Sequence, residues 1–288
     1  MKQLLVLSGK GGTGKTTVSS ALIKLAQAKA YADCDVDAPN LHLITEQKTS
    51  PEKRDYYGLP KAEIDPEPCL ECHKCLENCP FEAILKDVIY KVDPYACEGC
   101  GVCQLVCPVE CITLKPAVAG ELMLYKNGEV FSKAQLKMGS GTSGLLVTEV
   151  KKQLQEAAQA IKLAIIDGSP GIGCPVIASM SGVDLVLVVA EPSLSGISDL
   201  ERIIKTAKTF DVKAAICINK FDTNIEKTEK IEELCQKQGL SVIGRIPFDP
   251  KAVEAINLGE TIVDRECPSG RAVREIYTKL MELLEIDH

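Results

Sequence analysis

The chain of 288 residues is 45% hydrophobic and carries a formal net charge of −7, with an isoelectric point near 5.2. That is enough apolar material for one large core or two smaller ones, and it excludes a disordered or low-complexity chain. The acidic balance argues against a long nucleic-acid surface, so no nucleic-acid partner is expected.

In chain order, Gln3–Ser8 reads as a strand running into a glycine-rich turn, and Thr16–Ala28 has helical periodicity with Val18, Ala21, Leu22 and Leu25 on one face. The apolar run Leu4–Leu7 is shorter than the roughly 7–15 residues of a secretory core. No run approaches the roughly 18 of a membrane span, so a cytoplasmic location is expected. Ala30–Cys34 reads as a second short strand ending in acidic residues. From Lys61 to Pro116 cysteine and proline become dense and apolar periodicity breaks up. Strand-like apolar runs then return at Leu163–Asp167, Leu185–Ala190, Ala214–Asn219 and Val242–Ile246, separated by helical stretches near Thr148–Lys162, Gly196–Phe210, Glu226–Lys237 and Gly270–Leu284. This alternation predicts an α/β fold with a doubly wound, mostly parallel sheet. The expected division is a first part over 1–60, an inserted α+β module over 61–116, and a second part over 117–288. Ligands of such sheets bind at the carboxyl ends of the strands.

The segment Gly9–Thr17, GKGGTGKTT, satisfies G-x4-G-K-[ST] at Gly9, Gly14, Lys15 and Thr16, between a predicted strand and a predicted helix. The backbone of Gly9, Lys10, Gly11, Gly12, Thr13 and Gly14, continuing through Lys15, Thr16 and Thr17, is suited to cradling phosphate at a helix N-terminus. Lys15 is expected on the β/γ-phosphates and the Thr16 hydroxyl on Mg²⁺. Lys10, directly after the first glycine, resembles the additional lysine of the MinD/ParA (deviant Walker A) P-loop ATPases, a family that includes nitrogenase iron protein and cluster-assembly ATPases. The resemblance implies that Lys10 contacts nucleotide across an ATP-sandwich dimer. It identifies DCDVDAPNL, Asp33 to Leu41, with the first switch segment, Asp35 positioning the attacking water and Asp33 the competing choice. It identifies IIDGSPGIG, Ile165 to Gly173, with the Walker B and second switch segment, Asp167 holding Mg²⁺ through water. Asn219 of INK is implied as a base contact, and Pro247 of IPFD lies in a loop covering the adenine. The short connection AQAKAYADCD departs from the family's longer, glycine-containing loop.

The cysteine-rich block is duplicated: CLECHKCLENCPFEAI from Cys69 matches CEGCGVCQLVCPVECI from Cys97, offset by 28 residues. Each half reads C-x2-C-x2-C-x3-C-P, the bacterial dicluster ferredoxin pattern, in which the fourth thiolate crosses to the other half. Two 4Fe–4S clusters are expected, one on Cys69, Cys72, Cys75 and Cys107, the other on Cys97, Cys100, Cys103 and Cys79. Zinc on C-x2-C pairs is the alternative. Among the fourteen cysteines, Cys111 stands in the place of Ala83 and reads as a small buried residue, while Cys34, Cys217, Cys235 and Cys267 read as packing residues. Cys174 follows the second switch, where nitrogenase iron protein carries a cluster ligand, so both a packing role and a metal at a dimer axis stay open.

The amphipathic C-terminal segment reads as core packing rather than a membrane helix, since Glu282, Glu285 and Asp287 would be repelled by an anionic bilayer. The functional expectation is an ATP-binding and hydrolysing iron–sulfur protein. Its nucleotide-dependent homodimer, or heterodimer with a paralogue, would drive electron transfer or cluster handling for a redox or cluster-accepting protein. The rival is a positioning ATPase with structural clusters.

Overall fold

The computed structural model describes residues 1–45, 47 and 49–286. The chain opens with β1 (Lys2–Ser8), α1 (Lys15–Leu25) and β2 (Ala30–Asp33), then β3 (Glu52–Tyr57). The middle of the chain forms β4 (Lys61–Ile64), α2 (Lys74–Glu77), β5 (Ile84–Lys86), β6 (Tyr90–Val92), α3 (Val102–Leu105) and β7 (Ile112–Lys115). Next come β8 (Val118–Lys126), β9 (Val130–Leu136), α4 (Ser143–Ala157), β10 (Leu163–Pro170), α5 (Cys174–Met180), β11 (Leu185–Ala190) and α6 (Leu194–Thr209). The chain finishes with β12 (Lys213–Asn219), α7 (Ile225–Lys237), β13 (Ser241–Ile246), α8 (Pro250–Asn257) and α9 (Pro268–Leu284).

A nine-stranded sheet runs in the order β13-β12-β11-β1-β10-β2-β9-β8-β3. From β13 to β9 every neighbouring pair is parallel, whereas β8 is antiparallel to both β9 and β3. The strand period of two divides the side chains between two buried faces. Leu5, Leu7, Ile166 and Val188 point to the layer of α4 to α7, where they meet Leu146, Val150, Leu200 and Ile231. Leu4, Val6, Ile165 and Leu187 point to the layer of α1 and α9, where they meet Val18, Leu22, Ile276 and Leu280. Both layers hold many side chains with no exposed surface. Truncating one such leucine to alanine costs about 2–5 kcal/mol.

The strands β3 and β8 pair directly, Tyr57 opposite Val118, and the cysteine-rich segment is strung between them. It holds two separate two-stranded antiparallel sheets, β4 with β7 and β5 with β6. Its own small core gathers Ala62, Ala83, Ile84, Tyr90, Cys97, Cys103, Cys111 and Ile112.

Sequence reading leaves β3, β8, β9, α5 and α8 unassigned, and β2 ends one residue earlier than expected, at Asp33. The helix α9 buries Val273, Ile276, Leu280, Met281 and Leu284 against the sheet. Asp287 lies outside the described residues. No helix among the described residues is long and apolar enough to cross a membrane.

Candidate functional site

The parallel arrangement brings the carboxyl ends of β1, β2, β10, β11, β12 and β13 to one edge, and with them the segments singled out by sequence. Gly12 and Gly14 take φ of +78° and +93°, and a Cβ on Gly14 would lie 2.3 Å from the Asn219 amide nitrogen, so the turn requires glycine there. At Gly9 a Cβ would meet the Asp199 side chain at 2.1 Å, whereas Gly11 faces open space.

The helix α1 then starts at Lys15. Its ammonium pairs with Asp167 Oδ1 at 2.7 Å, and both side chains are buried. Thr16 Oγ1 donates to Asp167 Oδ2 at 2.8 Å, and Ser19 Oγ donates to Asp167 Oδ1 at 2.6 Å. The end of β10 and the first turn of α1 are thus tied by one carboxylate. The Thr13 hydroxyl is buried with no hydrogen-bond partner, an orphaned polar atom inside the loop that suits a polar ligand.

Lys10 points along the surface to the start of α6, where Nζ donates to Ser193 Oγ at 3.2 Å and lies 3.5 Å from the Glu191 carboxylate. The two candidate aspartates of β2 and its loop are differently placed. Asp33 is fully buried, and its two oxygens accept from the backbone N–H groups of Asp35, Asn40 and Leu41 at 2.9–3.0 Å. Burial and the charge of Asp167 push its pKa up, against the pull of those backbone bonds and of Lys15. Asp35 is half-buried, and its carboxylate accepts one long bond, from Ala38 N–H at 3.4 Å. Burial also raises Asp35, while the Lys15 charge opposes the rise.

A cavity of about 200 Å³ adjoins the loop, lined by Gly12, Gly14, Thr17, Asn219, Pro247 and Phe248 among others. Asn219 braces the loop, donating to the Thr13 carbonyl at 2.6 Å, and Lys220 Nζ donates to the Gly12 carbonyl at 3.0 Å. Ser19, Glu191, Ser193 and Lys220 are additions that sequence reading did not supply. Lys220 carried a signal, its place next to Asn219 at a strand end. The other three become visible only through the topology.

The cysteines gather in two cavities. One is lined by Cys79, Cys97, Cys100 and Cys103, the other by Cys69, Cys72, Cys75, Cys107 and Cys111. The first takes Cys79 from the opposite repeat, and the second takes Cys107 and Cys111. Backbone N–H groups point at the sulfurs, from Ala62 to Cys97 Sγ at 3.5 Å and from Ala83 to Cys79 Sγ at 3.4 Å. Among the described residues no three His, Cys, Asp or Glu side chains are drawn tightly enough together to hold a single metal ion. Each cavity has at least four thiols on its wall, the number a 4Fe–4S cubane takes, so the donor set fits such a group. Cys111 is buried, as expected, and its Sγ lies 3.4 Å from Cys107 Sγ, which makes five thiols around that cavity. Cys34, Cys217, Cys235 and Cys267 are buried, whereas Cys174 is exposed at the start of α5.

Residues 4–262 match the family described as the CobQ/CobB/MinD/ParA nucleotide binding domain. The chain belongs to this family of P-loop ATPases. It is 34% identical over 98% of its length to an uncharacterized protein of Methanocaldococcus jannaschii, covering 97% of that protein. It is 26% identical over 98% of its length to an iron–sulfur cluster carrier protein of Pyrococcus horikoshii, covering 86% of it. Among solved structures, the septum site-determining protein MinD of P. horikoshii, complexed with Mg-ADP, superimposes with a TM-score of 0.60. At 16% identity, over 98% of this chain and 96% of that one, this last likeness shows the fold.

Proposed function

We propose that this ATPase couples a nucleotide-dependent dimer switch to electron transfer or cluster handling for a partner protein, using two resident 4Fe–4S clusters. The observation that carries the reading is the sorting of the repeated cysteines into two cavities, each completed from the other repeat. The cluster-carrier name of a relative similar over most of the chain supports it.

In this reading Lys15 leaves Asp167 for the β/γ-phosphates when ATP binds, and Thr16 and Asp167 turn to Mg²⁺. Asp35 positions the attacking water. Its carboxylate is lightly engaged, whereas Asp33 is occupied in shaping the loop over Asp35–Leu41. Asn219 and Pro247 border the cavity that would take the base. Lys10, now held by Glu191 and Ser193, is within reach of solvent and serves the second copy's nucleotide. Cys69, Cys72, Cys75 and Cys107 would hold one cluster and Cys79, Cys97, Cys100 and Cys103 the other. Bound, the clusters supply one-electron chemistry. The free thiols suit a reducing, cytoplasmic setting.

The test is anaerobic purification followed by metal analysis and EPR. About eight iron atoms per chain and a reduced 4Fe–4S signal are expected. Stoichiometric zinc without iron would overturn the cluster assignment. Clusters that neither respond to ATP nor exchange with a partner would favour a positioning ATPase instead.

A further inference from the structure

The two cysteine cavities stand in different relations to the nucleotide domain. The Cys97 loop is fastened to the stem that carries the insert. A Cβ on Gly99 would lie 2.1 Å from the Pro60 carbonyl oxygen, and Lys61 Nζ donates to the Cys97 carbonyl. The same loop also comes close to Gly139 and Gly141. A Cβ on Gly141 would lie 3.1 Å from Glu98 Oε2, and one on Gly139 would lie 3.6 Å from the Tyr95 ring.

Those residues lead straight into α4, and a Cβ on Gly144 in its first turn would lie 3.1 Å from Cys174 Cβ and 3.2 Å from the Cys174 carbonyl oxygen. Cys174 opens α5, just beyond the loop that leaves β10 after Asp167. Two close approaches, Glu98 to Gly141 and Gly144 to Cys174, joined by the chain between them, therefore link the Cys97 loop to the segment that follows the Asp167 carboxylate. Both cavities are lined by residues of the insert, so the difference lies in the loops: the side-chain contacts of the 69–76 segment, Glu71 with Lys86 and His73 with Tyr90, stay within the insert.

The junction holds an unused bond. Thr142 is the N-cap of α4, yet its side chain makes no cap hydrogen bond, and its backbone at φ −107°, ψ 29° is outside the extended region that a capping residue normally takes. The hydroxyl is buried and has no partner. Rotation of the Thr142 backbone into the extended region, where the side-chain-bonded caps Ser193 and Cys267 lie, would let it cap the helix.

We propose that residues 138–144 couple the nucleotide site to the Cys97 cavity and not to the Cys69 cavity, with the uncapped start of α4 as the element that changes state. The inference rests on the nucleotide-switch reading above, and it adds which of the two cysteine sites responds. Movement of the loop after Asp167 shifts Cys174 and Gly144, Thr142 gains its cap, and Tyr95 and Glu98 are displaced beside Cys97.

The experiment is hydrogen exchange on the purified chain, with iron content measured, in the presence and absence of Mg²⁺ and a non-hydrolysable ATP analogue at saturation. Exchange should change over 95–101 and 138–147 and stay constant over 69–76. Thr142→Ala, which cannot form the cap, and Tyr95→Ala, an exposed truncation, should bind the analogue as the parent chain does. Each should lose at least half of the change at 95–101. Equal responses in both cysteine segments, a response over 69–76 alone, or variants that respond in full would overturn the coupling. Zinc in place of iron would strike the cluster assignment, while exchange on that metal-loaded insert would still decide the coupling.

Discussion

The nucleotide site and the cysteine insert are built on opposite plans. At the nucleotide site the charged groups satisfy each other: Lys15, Thr16 and Ser19 converge on Asp167, and Lys10 rests on Glu191 and Ser193. Two broad apolar layers lie behind them. The insert has a core of eight buried residues, three of them cysteines, and two helices of four residues each. Modules this small rarely hold a fold by burial alone and use a metal or a covalent staple. The fold itself assembles the phosphate site, whereas on the proposal above the thiol sites would depend on the clusters they hold.

Removal of those clusters should give the largest effect. Structural metal sites contribute on the order of 10 kcal/mol to the folding of small domains. Chelation or oxidative loss of iron, or Cys97→Ser together with Cys103→Ser, should open 61–116 to protease while the flanking domain keeps its helix signal and ATP binding. An insert that stays protected after iron loss would erase the contrast between the two regions.

Within the nucleotide site, Lys15→Ala leaves Asp167 buried without its ammonium. Breaking a buried pair from one side costs about 3–5 kcal/mol, so the nucleotide-free protein should lose stability in denaturant as well as affinity for ATP. A loss confined to affinity would mean that the pair contributes nothing in the free state. Asp35→Ala should retain ATP and slow hydrolysis by roughly 100-fold, the lower range for a group acting on the attacking nucleophile. Normal turnover in Asp35→Ala with loss in Asp33→Ala would exchange the two roles.

A pH effect comes next. The folded pKa of Asp33 is raised to about 7. Between the ordinary carboxylate range and that value the native state holds a proton that the unfolded chain has released. Stability from this group is therefore complete at low pH and is lost as pH rises through about 7. Chemical denaturation of the nucleotide-free protein should show that fall, and Asp33→Asn should flatten it. The smallest effect is expected at Glu191. Its bridge to Lys10 is partly exposed, and such pairs contribute about 0–1 kcal/mol. Glu191→Gln should scarcely move the unfolding midpoint, and a shift as large as that of Lys15→Ala would show the surface pair to be structural.

Much of this contrast was legible in the sequence, for a physical reason in each case. The glycine spacing of the phosphate loop and the apolar runs of β1, β10, β11, β12 and β13 are local patterns. So is the cysteine spacing, whose repeat also pointed to thiols shared between halves. The strand β3, EKRDYY, escaped because it is a charged sheet edge with only Tyr56 buried, the composition by which edges avoid pairing with other chains. Ser132 and Lys133, both buried, interrupt the apolar run of β9. The helix α5 spans seven residues, too few to show a helical period. Ser19 and Glu191 gave no signal because their partners, Asp167 and Lys10, lie 148 and 181 residues away.

The way the insert is strung between β3 and β8 has a thermodynamic consequence for the whole chain. Tyr57 and Val118 are paired neighbours, so the intervening 60 residues occupy the position of a hairpin turn. Closing a flexible loop of that length instead of a turn of a few residues costs only about 2–3 kcal/mol, since each doubling adds about 0.6. The rest of the sheet therefore tolerates the module at modest expense even when its thiols are empty. Pairing of β4 with β7 shortens the effective loop further by carrying the hairpin outward as a stem. If the cysteine sites take clusters as proposed, loading and unloading would proceed at the tip of that stem as a local folding event, without unfolding of the sheet that carries the phosphate loop.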